Sequence, residues 1–342
     1  MSMHHGVRVD VHLTGDQVTI ADMVRFGQLS ESAGLGGVWT AEGWRDSLVP
    51  LAGIASATSN IRLGTDVSQW TRTLPNMELA ASDLNELSGS RFVLGLGTAP
   101  KEWNEGWHGI SYDRPLQRMR EYVSAIRLMW GASVDNPVNF DGECFQLTDY
   151  IRLRGANPDP VPIHLGATLG GMAELAGEIA DGVNFNVVLS GPYIQENMLP
   201  AVARGAERAG RSLADLDVGV LVSTAVSDDR AQAIRWAKHQ LAFYAGVATY
   251  FEAVMRSHGF GADYEKVRDA FHAGDPFGAI ELVTDEMVEE LALAGTPDDV
   301  RSRLARYEGV VDFVMVYAPT FLLPPEEVAA EHTAMIDTFA AG

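Results

Sequence analysis

Short apolar stretches alternate with longer amphipathic ones along most of the chain. Val7–Leu13 alternates in hydrophobicity as a strand does, whereas Pro115–Trp130 carries apolar side chains three and four residues apart, as a helix does. The same two patterns recur and predict eight strands, each followed by helix. The predicted strands are Val7–Leu13, Gly37–Thr40, Ile61–Val67, Phe92–Leu96, Pro162–Leu165, Gly182–Val187, Asp217–Val226 and Val310–Val316. The predicted helices include Ile20–Ser32, Leu48–Ala57, Pro75–Leu87, Pro115–Trp130, Gly170–Ile179, Pro192–Ala209 and Pro325–Phe339, with another beginning at Thr296 and a small hairpin at Phe140–Leu147.

The helices between the strands predict a parallel sheet, because parallel strands need long crossover connections. We predict a (β/α)8 TIM barrel, in one domain over residues 1–342. A doubly wound open sheet is the alternative, but no GxGxxG motif follows the first strand. The helical region at about residues 229–293, with breaks near Gly259 and Gly274, is interpreted as an insertion before the last strand.

Composition narrows the class of protein. The net charge is −21 and no basic stripe is present, which disfavours nucleic-acid binding. No apolar run reaches the roughly 18–20 residues of a membrane span, and no signal peptide is recognisable, so we expect a cytoplasmic protein without membrane contact. The one cysteine, Cys144, excludes an intramolecular disulfide. The nine histidines are scattered singly, without an HExxH motif, so no metal site is predicted.

Several segments together resemble the luciferase-like monooxygenase superfamily, and more narrowly its branch of oxidoreductases that use the deazaflavin coenzyme F420. The resemblance is strong because the order and spacing of the segments match, although each is weak alone. These segments are Trp39–Asp46, Ile61–Val67, Leu87–Thr98, Asp113–Val123, Phe140–Glu143, Val161–Ala167 and Glu174–Gly182. The resemblance implies a barrel that holds a deazaflavin or flavin at the C-terminal ends of its strands.

Glu42 and His108 are the candidate catalytic residues. The resemblance places Glu42 where related enzymes carry an acidic residue at the cofactor ring, and it places Gly43 where several carry a proton-donating histidine. Glu42 is a candidate acid if burial raises its pKa toward neutrality; the alternative is a structural ion pair with Arg45 or Arg72. His108 follows the fourth strand in a loop over the barrel end, and histidine titrates near neutral pH.

The candidate cofactor-binding residues lie after the third, fourth and fifth strands. The resemblance implies a cis peptide bond between Asp66 and Val67, forming a bulge behind the ring; an ordinary trans bond is the alternative. The Gly166–Gly171 turn opens a helix, whose free amides attract phosphate. The candidates are Asp66, Val67, Thr98, Ala99, Asn104, Ala167, Thr168, Leu169 and Gly170, with Trp44, Trp107, His12, Asn184 and Asn186 as candidate substrate contacts.

These features favour hydride transfer between coenzyme F420 and a small organic substrate such as a carbonyl compound, an alcohol or an activated C=C or C=N bond. The alternative is an FMN-dependent monooxygenase supplied by a separate reductase, and a third possibility is a cofactor-binding protein without activity. The branch that the sequence resembles includes a deazaflavin-dependent glucose-6-phosphate dehydrogenase. The matching region of this chain lacks the phosphate-binding lysines expected of such an enzyme, so glucose 6-phosphate is not the expected substrate. The resemblance also favours a homodimer.

Overall fold

Eight parallel strands close into a barrel in the computed structural model, which describes residues 3–14, 17–157, 159–247 and 250–340. Each strand pairs with the next, and the last pairs with the first, so the sheet has no edge and the open-sheet alternative is excluded. The barrel strands are β1 (Val7–Leu13), β2 (Gly37–Thr40), β3 (Arg62–Thr65), β4 (Phe92–Gly97), β5 (Ile163–Ala167), β6 (Gly182–Phe185), β7 (Asp217–Val226) and β8 (Phe313–Tyr317). Nearly every strand residue is buried, as expected when helices cover a parallel sheet.

Helices follow the strands at the predicted places. Thr19 and Thr296 begin two of them with capping boxes, in which a threonine and an aspartate three residues later bond each other's backbone amides. Gly89, with φ of 65°, ends another in the left-handed conformation. The helices of four or more residues outside the insertion are Ile20–Ser32, Leu48–Ala57, Leu74–Ser88, Lys101–Gly106, Pro115–Trp130, Gly170–Ile179, Ile194–Met198 (π-helical), Leu199–Arg208, Pro297–Arg303, Leu304–Tyr307 (3-10) and Pro325–Thr338.

The region between β7 and β8 is helical, as predicted, and the expected breaks are present at Gly259 and Gly274, whose φ angles are 85° and 83°. Its helices are Arg230–Val247, Phe251–Ser257, Gly261–His272, Pro276–Leu282 and Asp285–Leu291, followed by a short strand, Ala292–Gly295, that pairs in parallel with the end of β7. The first of these helices packs on β7 and therefore also covers the barrel wall.

A hairpin of Val138–Asp141 and Gln146–Tyr150 forms a separate two-stranded sheet outside the barrel, as predicted. The Glu121 carboxylate holds it by accepting the backbone amides of Glu143, Cys144 and Phe145 at 3.0, 2.7 and 3.1 Å.

Charged side chains fill the barrel at the N-terminal ends of its strands, which we call the floor. Arg8 Nε donates to Asp10 at 3.1 Å, and the Trp39 indole donates to the same carboxylate at 2.8 Å. Arg8 and Arg62 both pair with Asp217. Since buried charges are stable only when paired, this network closes the barrel below and leaves its other end for chemistry.

Candidate functional site

The C-terminal ends of the strands form the opposite end of the barrel, which we call the mouth. Most of the predicted site residues come together here although they are far apart in sequence. They are His12 on β1, Glu42 and Trp44 after β2, Asp66 and Val67 after β3, Thr98 and Ala99 after β4, Ala167 and Thr168 at the end of β5, and Asn184 and Asn186 at the end of β6.

The peptide bond between Asp66 and Val67 is cis, as the resemblance implied. The Val67 side chain points into the mouth against two glycines. A Cβ atom built on Gly97 would lie 2.2 Å from Val67 Cγ2, and one built on Gly166 would lie 2.8 Å from Val67 Cγ1. The glycines of β4 and β5 therefore make room for this bulge.

Glu42 forms the ion pair with Arg72 that was the structural alternative to an acid role. Its Oε1 accepts from Arg72 Nε at 2.9 Å, its Oε2 accepts from the backbone amide of Gln69 at 2.8 Å, and its own amide donates to the Val67 carbonyl at 3.0 Å. Burial works against the charge of Arg72, but Glu42 and Asp46 outweigh it and raise the pKa of the guanidinium. Glu42 thus joins the loops after β2 and β3.

Asp66 and Asn184 meet across the mouth. Asn184 Nδ2 donates to Asp66 Oδ1 at 3.0 Å, and His164 Nδ1 lies 2.9 Å from Asn184 Oδ1. The Asp66 side chain keeps some contact with solvent, but most of its surroundings are protein, and this desolvation raises its pKa to about 6 despite the bond from Asn184. Burial lowers the pKa of His164 to about 4, so that ring is neutral.

His12 lies at the mouth but is fully buried. Its Nε2 donates to the backbone carbonyl of Asp66 at 3.1 Å, and its ring meets Tyr317 edge to face at 5.4 Å. Burial lowers the pKa of His12 to about 4, which keeps the imidazole neutral. The hydroxyl of Tyr317 is hydrogen-bonded to that of Tyr244.

Thr98 faces the mouth while Asn104 lies behind it. The Asn104 amide is completely buried; it accepts from the Trp70 indole at 2.6 Å and donates to the carbonyls of Thr98 and Pro100 at 2.7 and 2.9 Å. Asn104 therefore fixes the backbone at Thr98, whose hydroxyl accepts from Tyr112 at 3.2 Å.

The turn after β5 offers backbone amides to an anion. The helix Gly170–Ile179 begins without a side-chain cap, so the amides of its first turn point out of its end. Asn186 Nδ2 donates to the Thr168 hydroxyl at 3.0 Å and so fixes the side chain beside this turn. No acidic residue occurs between Gly166 and Ala173. This donor set fits a phosphate-bearing cofactor.

His108 lies on the exposed surface, and its ring is not among the groups that line the barrel. The neighbouring Trp107 stacks on Trp103 at 4.4 Å, and Trp44 contacts both rings at 4.6 and 5.6 Å. Trp44 and Trp107 are 54% and 57% exposed, so this tryptophan cluster is an apolar surface at the rim of the mouth.

Four residues at the mouth were missed from the sequence: Trp103, Tyr317, Phe243 and Tyr244. Tyr317 ends β8 and could have been found by the same rule that selected His12 and Asn184. The helix Arg230–Val247 places the ring centroid of Phe243 6.4 Å from that of Trp44. The same helix brings the Tyr244 hydroxyl into a hydrogen bond with Tyr317. No sequence pattern marks Phe243 and Tyr244 as site residues, because the path of the insertion could not be predicted.

The described ranges lack metal-binding clusters and membrane-spanning helices. No group of three or more His, Cys, Asp or Glu side chains there is arranged to hold a metal ion. Likewise, none of the helices in these ranges has the length and apolar character needed to cross a bilayer.

The closed barrel carries its polar site residues at the C-terminal ends of the strands, which is the arrangement of (β/α)8-barrel enzymes. The family model described as luciferase-like monooxygenase matches residues 1–312. The chain therefore belongs to the luciferase-like monooxygenase family.

Two relatives are named as a coenzyme F420-dependent oxidoreductase and as a methylenetetrahydromethanopterin reductase. A putative coenzyme F420-dependent oxidoreductase of Mycobacterium tuberculosis is 33% identical, over 84% of this chain and 87% of that protein. The 5,10-methylenetetrahydromethanopterin reductase of Methanolobus tindarius is also 33% identical, over 83% of this chain and 86% of that one. The structure of the coenzyme F420-dependent tetrahydromethanopterin reductase from Methanopyrus kandleri superimposes with a TM-score of 0.84 at 24% identity, over 97% and 99% of the two chains, which shows the shared fold.

Proposed function

We propose that this protein is an oxidoreductase that transfers a hydride between coenzyme F420 and a small organic substrate, with a carbonyl, an alcohol or an activated C=C or C=N bond as the reacting group. The observation that carries the proposal is the mouth itself: the Val67 bulge and the amide-rich turn at Gly170 face one opening, in a chain whose relatives are named for this coenzyme. When bound, the deazaflavin supplies the hydride-accepting or hydride-donating carbon.

The residues of this chain would bind and orient the cofactor. The Val67 side chain, backed by Gly97 and Gly166, supports the flat ring. The helix amides at Gly170, together with Ala167, Thr168 and Leu169, hold a phosphate, while Thr98 and Ala99 offer polar backbone and hydroxyl groups at the other side. Glu42 is proposed to order this wall through Arg72, because both of its oxygens are already bonded.

Trp44, Trp107 and Asn186 are proposed to contact the substrate or the cofactor edge. His108, on the surface beside Trp107, is proposed as a substrate contact at the rim of the mouth. A homodimer, inferred from the resemblance, is also part of the proposal, and light scattering of the purified protein tests it.

Binding of the two candidate cofactors tests the proposal directly. Purified protein is dialysed to equilibrium against oxidised F420 and, separately, FMN, and the bound fraction is read from the visible absorbance. We expect F420 to bind more tightly than FMN. Binding of FMN alone, with oxygen consumption when it is reduced, would support the monooxygenase alternative, which the family name favours. Binding of neither would refute both.

A charge placed on the proposed phosphate site tests its location. Gly170→Asp puts a carboxylate at the start of the helix, where the nearest atom to a new Cβ is 3.9 Å away, so the added Cβ meets no clash. Repulsion between this charge and a phosphate should weaken F420 binding about tenfold, corresponding to about 1.4 kcal/mol. Gly131→Asp, at the end of the helix Pro115–Trp130, adds the same charge away from the mouth and should leave binding unchanged. Equal affinity of both variants and the wild type would remove the phosphate from this turn.

A further inference from the structure

The Asp66 carboxyl group at the mouth has one oxygen in a hydrogen bond and one oxygen without a hydrogen-bond partner in the described ranges. Its Oδ1 accepts from Asn184, while no described residue forms a hydrogen bond or ion pair with Oδ2. The backbone around it is fixed, since the Asp66 amide donates to the Thr40 carbonyl at 2.8 Å and its carbonyl accepts from His12. Asp66 as a residue is partly exposed, and Oδ2 is not among the buried side-chain atoms that lack a partner, so this oxygen keeps some accessible surface.

A chain of hydrogen bonds from the floor decides which oxygen of Asp66 is bonded. The guanidinium of Arg62 can only donate, and its Nη2 lies 3.2 Å from Nε2 of the neutral His164. His164 Nε2 must therefore accept, so the ring proton is on Nδ1 and is donated to Asn184 Oδ1. The Asn184 amide is thereby oriented with its Nδ2 toward Asp66. We call this series, Arg62 to His164 to Asn184 to Asp66, the relay.

The relay determines where Asp66 carries its proton. Because Oδ1 accepts from Asn184, the protonated acid holds its hydrogen on Oδ2, the oxygen without a partner among the described residues. The pKa of about 6 means that both the acid and the carboxylate are populated near neutral pH, as a group that gives and takes protons requires.

The other titratable groups around Asp66 are less suited to this role. Glu42 has both oxygens bonded, and the neutral His12 donates its Nε2–H to the Asp66 carbonyl. The hydroxyls of Tyr244 and Tyr317 are bonded to each other. His164 is separated from the mouth by Asn184.

We propose that Asp66 is the proton donor and acceptor of the reaction, acting through Oδ2. This inference rests on the proposed function. In the reductive direction, a carbonyl carbon would gain a hydride, and with it two electrons, from a bound reduced deazaflavin, while the carbonyl oxygen takes the Oδ2 proton and the substrate becomes the alcohol. Asp66 would be left as a carboxylate that solvent reprotonates. The oxidative direction reverses each transfer.

Titration of the carboxyl groups tests the proton-holding role without any substrate. Protein labelled with ¹³C at the aspartate carboxyl carbons is titrated by NMR, with and without oxidised F420, as wild type and as Asp66→Asn. We expect one signal with a midpoint near 6 that is lost only in Asp66→Asn. Asp46→Asn is the matched control: burial alone would raise the pKa of Asp46, but Arg72 and the backbone amides of Val49 and Leu48 together lower it, so its lost signal should titrate low. If the signal lost in Asp66→Asn titrates near the ordinary value of about 3.9, the proposal is wrong.

Turnover of cyclohexanone by reduced F420 tests the chemical role. Asp66→Asn should slow turnover by about 10²–10³-fold, the usual contribution of a general acid, while F420 still binds. The wild-type rate should fall as the pH rises past about 6, because the acid form is lost, and the variant should show no such fall. Failure of the wild type to bind F420 counts against the proposed function, whereas F420 binding with nearly wild-type turnover in Asp66→Asn counts against Asp66 alone. If cyclohexanone is not accepted, the carboxyl titration decides.

Discussion

At the scale of single residues, Glu331 is the clearest case of a carboxyl group that the fold keeps uncharged. It lies on the helix Pro325–Thr338 and is 2% exposed. Its Oε1 accepts the Val226 amide, while Oε2 has no hydrogen-bond partner. Burial, only partly offset by the Val226 amide, raises the pKa of Glu331 to about 8. The native protein therefore holds this side chain as a neutral acid over most of the physiological range.

This burial makes the stability of the protein depend on pH. In the unfolded chain Glu331 ionises near 4.5, whereas in the folded protein it keeps its proton until about 8. The folded state thus binds the extra proton, so its free energy of unfolding falls as the pH rises between these two values. We expect a loss on the order of 3–4 kcal/mol between about pH 5 and about pH 9 from this group.

Glu331→Gln should remove most of this pH dependence, because glutamine has no proton to lose. Urea unfolding at a series of pH values measures it. Glu326→Gln, an exposed position on the same helix, is the control and should keep the wild-type slope. A wild-type slope that persists in Glu331→Gln would show that another group is responsible.

At the scale of secondary-structure elements, the end of β3 fits against β4 and β5 because those strands carry glycine. A methyl group at Gly97 would overlap Val67 Cγ2 at 2.2 Å, so Gly97→Ala must displace the bulge. We expect a loss of about 1–3 kcal/mol in the free energy of unfolding, typical of overpacking, together with weaker F420 binding.

The double variant Gly97→Ala with Val67→Ala should recover most of the stability lost in Gly97→Ala, since the clashing Cγ atoms are gone. Urea unfolding of the three variants measures the coupling. Gly106→Ala is the control, because a Cβ atom there meets nothing within 4 Å. Additive effects of the two substitutions would show that Val67 and Gly97 do not restrict each other.

The same elements show how far sequence patterns reach. The order of strands and helices was predicted correctly, because local periodicity and capping determine it. For the same reason, the predicted bounds of the helix Pro115–Trp130 and the strand Asp217–Val226 equal the observed ones. Ile61–Val67 was predicted too long, since the chain leaves the strand at Thr65 and bends at the cis bond. Periodicity cannot show such a bend, and only the resemblance indicated it.

At the scale of the whole molecule, barrel closure creates contacts that no local pattern contains. Asp66 and Asn184 are 118 residues apart, and Arg62 and His164 are 102 apart. The sequence could place Asn184 at a strand end, but the relay depends on strand neighbours and side-chain direction together. For the same reason, the sequence could locate Glu42 at the mouth but could not show whether it acts as an acid or forms an ion pair. The position of Arg72 in the structure shows the ion pair.

The relay also predicts that the floor and the mouth are coupled. Arg62→Met keeps an apolar stem over Trp39 and Phe313 but removes the donor to His164 Nε2, and Asp217 remains paired with Arg8. The His164 proton can then move to Nε2, which lies 3.8 Å from Asp217. His164 Nδ1 becomes an acceptor, the Asn184 amide turns over, and Asp66 faces a carbonyl oxygen instead of an N–H group.

Loss of that N–H donor disfavours the carboxylate, so the midpoint of the Asp66 titration should rise by about one pH unit in Arg62→Met. The ¹³C titration measures this. Arg8→Met is the matched control: it removes the same charge from the same floor, but Arg8 bonds to Asp10 and Asp217 and not to His164. Arg8→Met should therefore lower stability without moving the midpoint. Equal midpoints in both variants would show that the orientation of Asn184 is set at the mouth, and that proton chemistry there is independent of the floor.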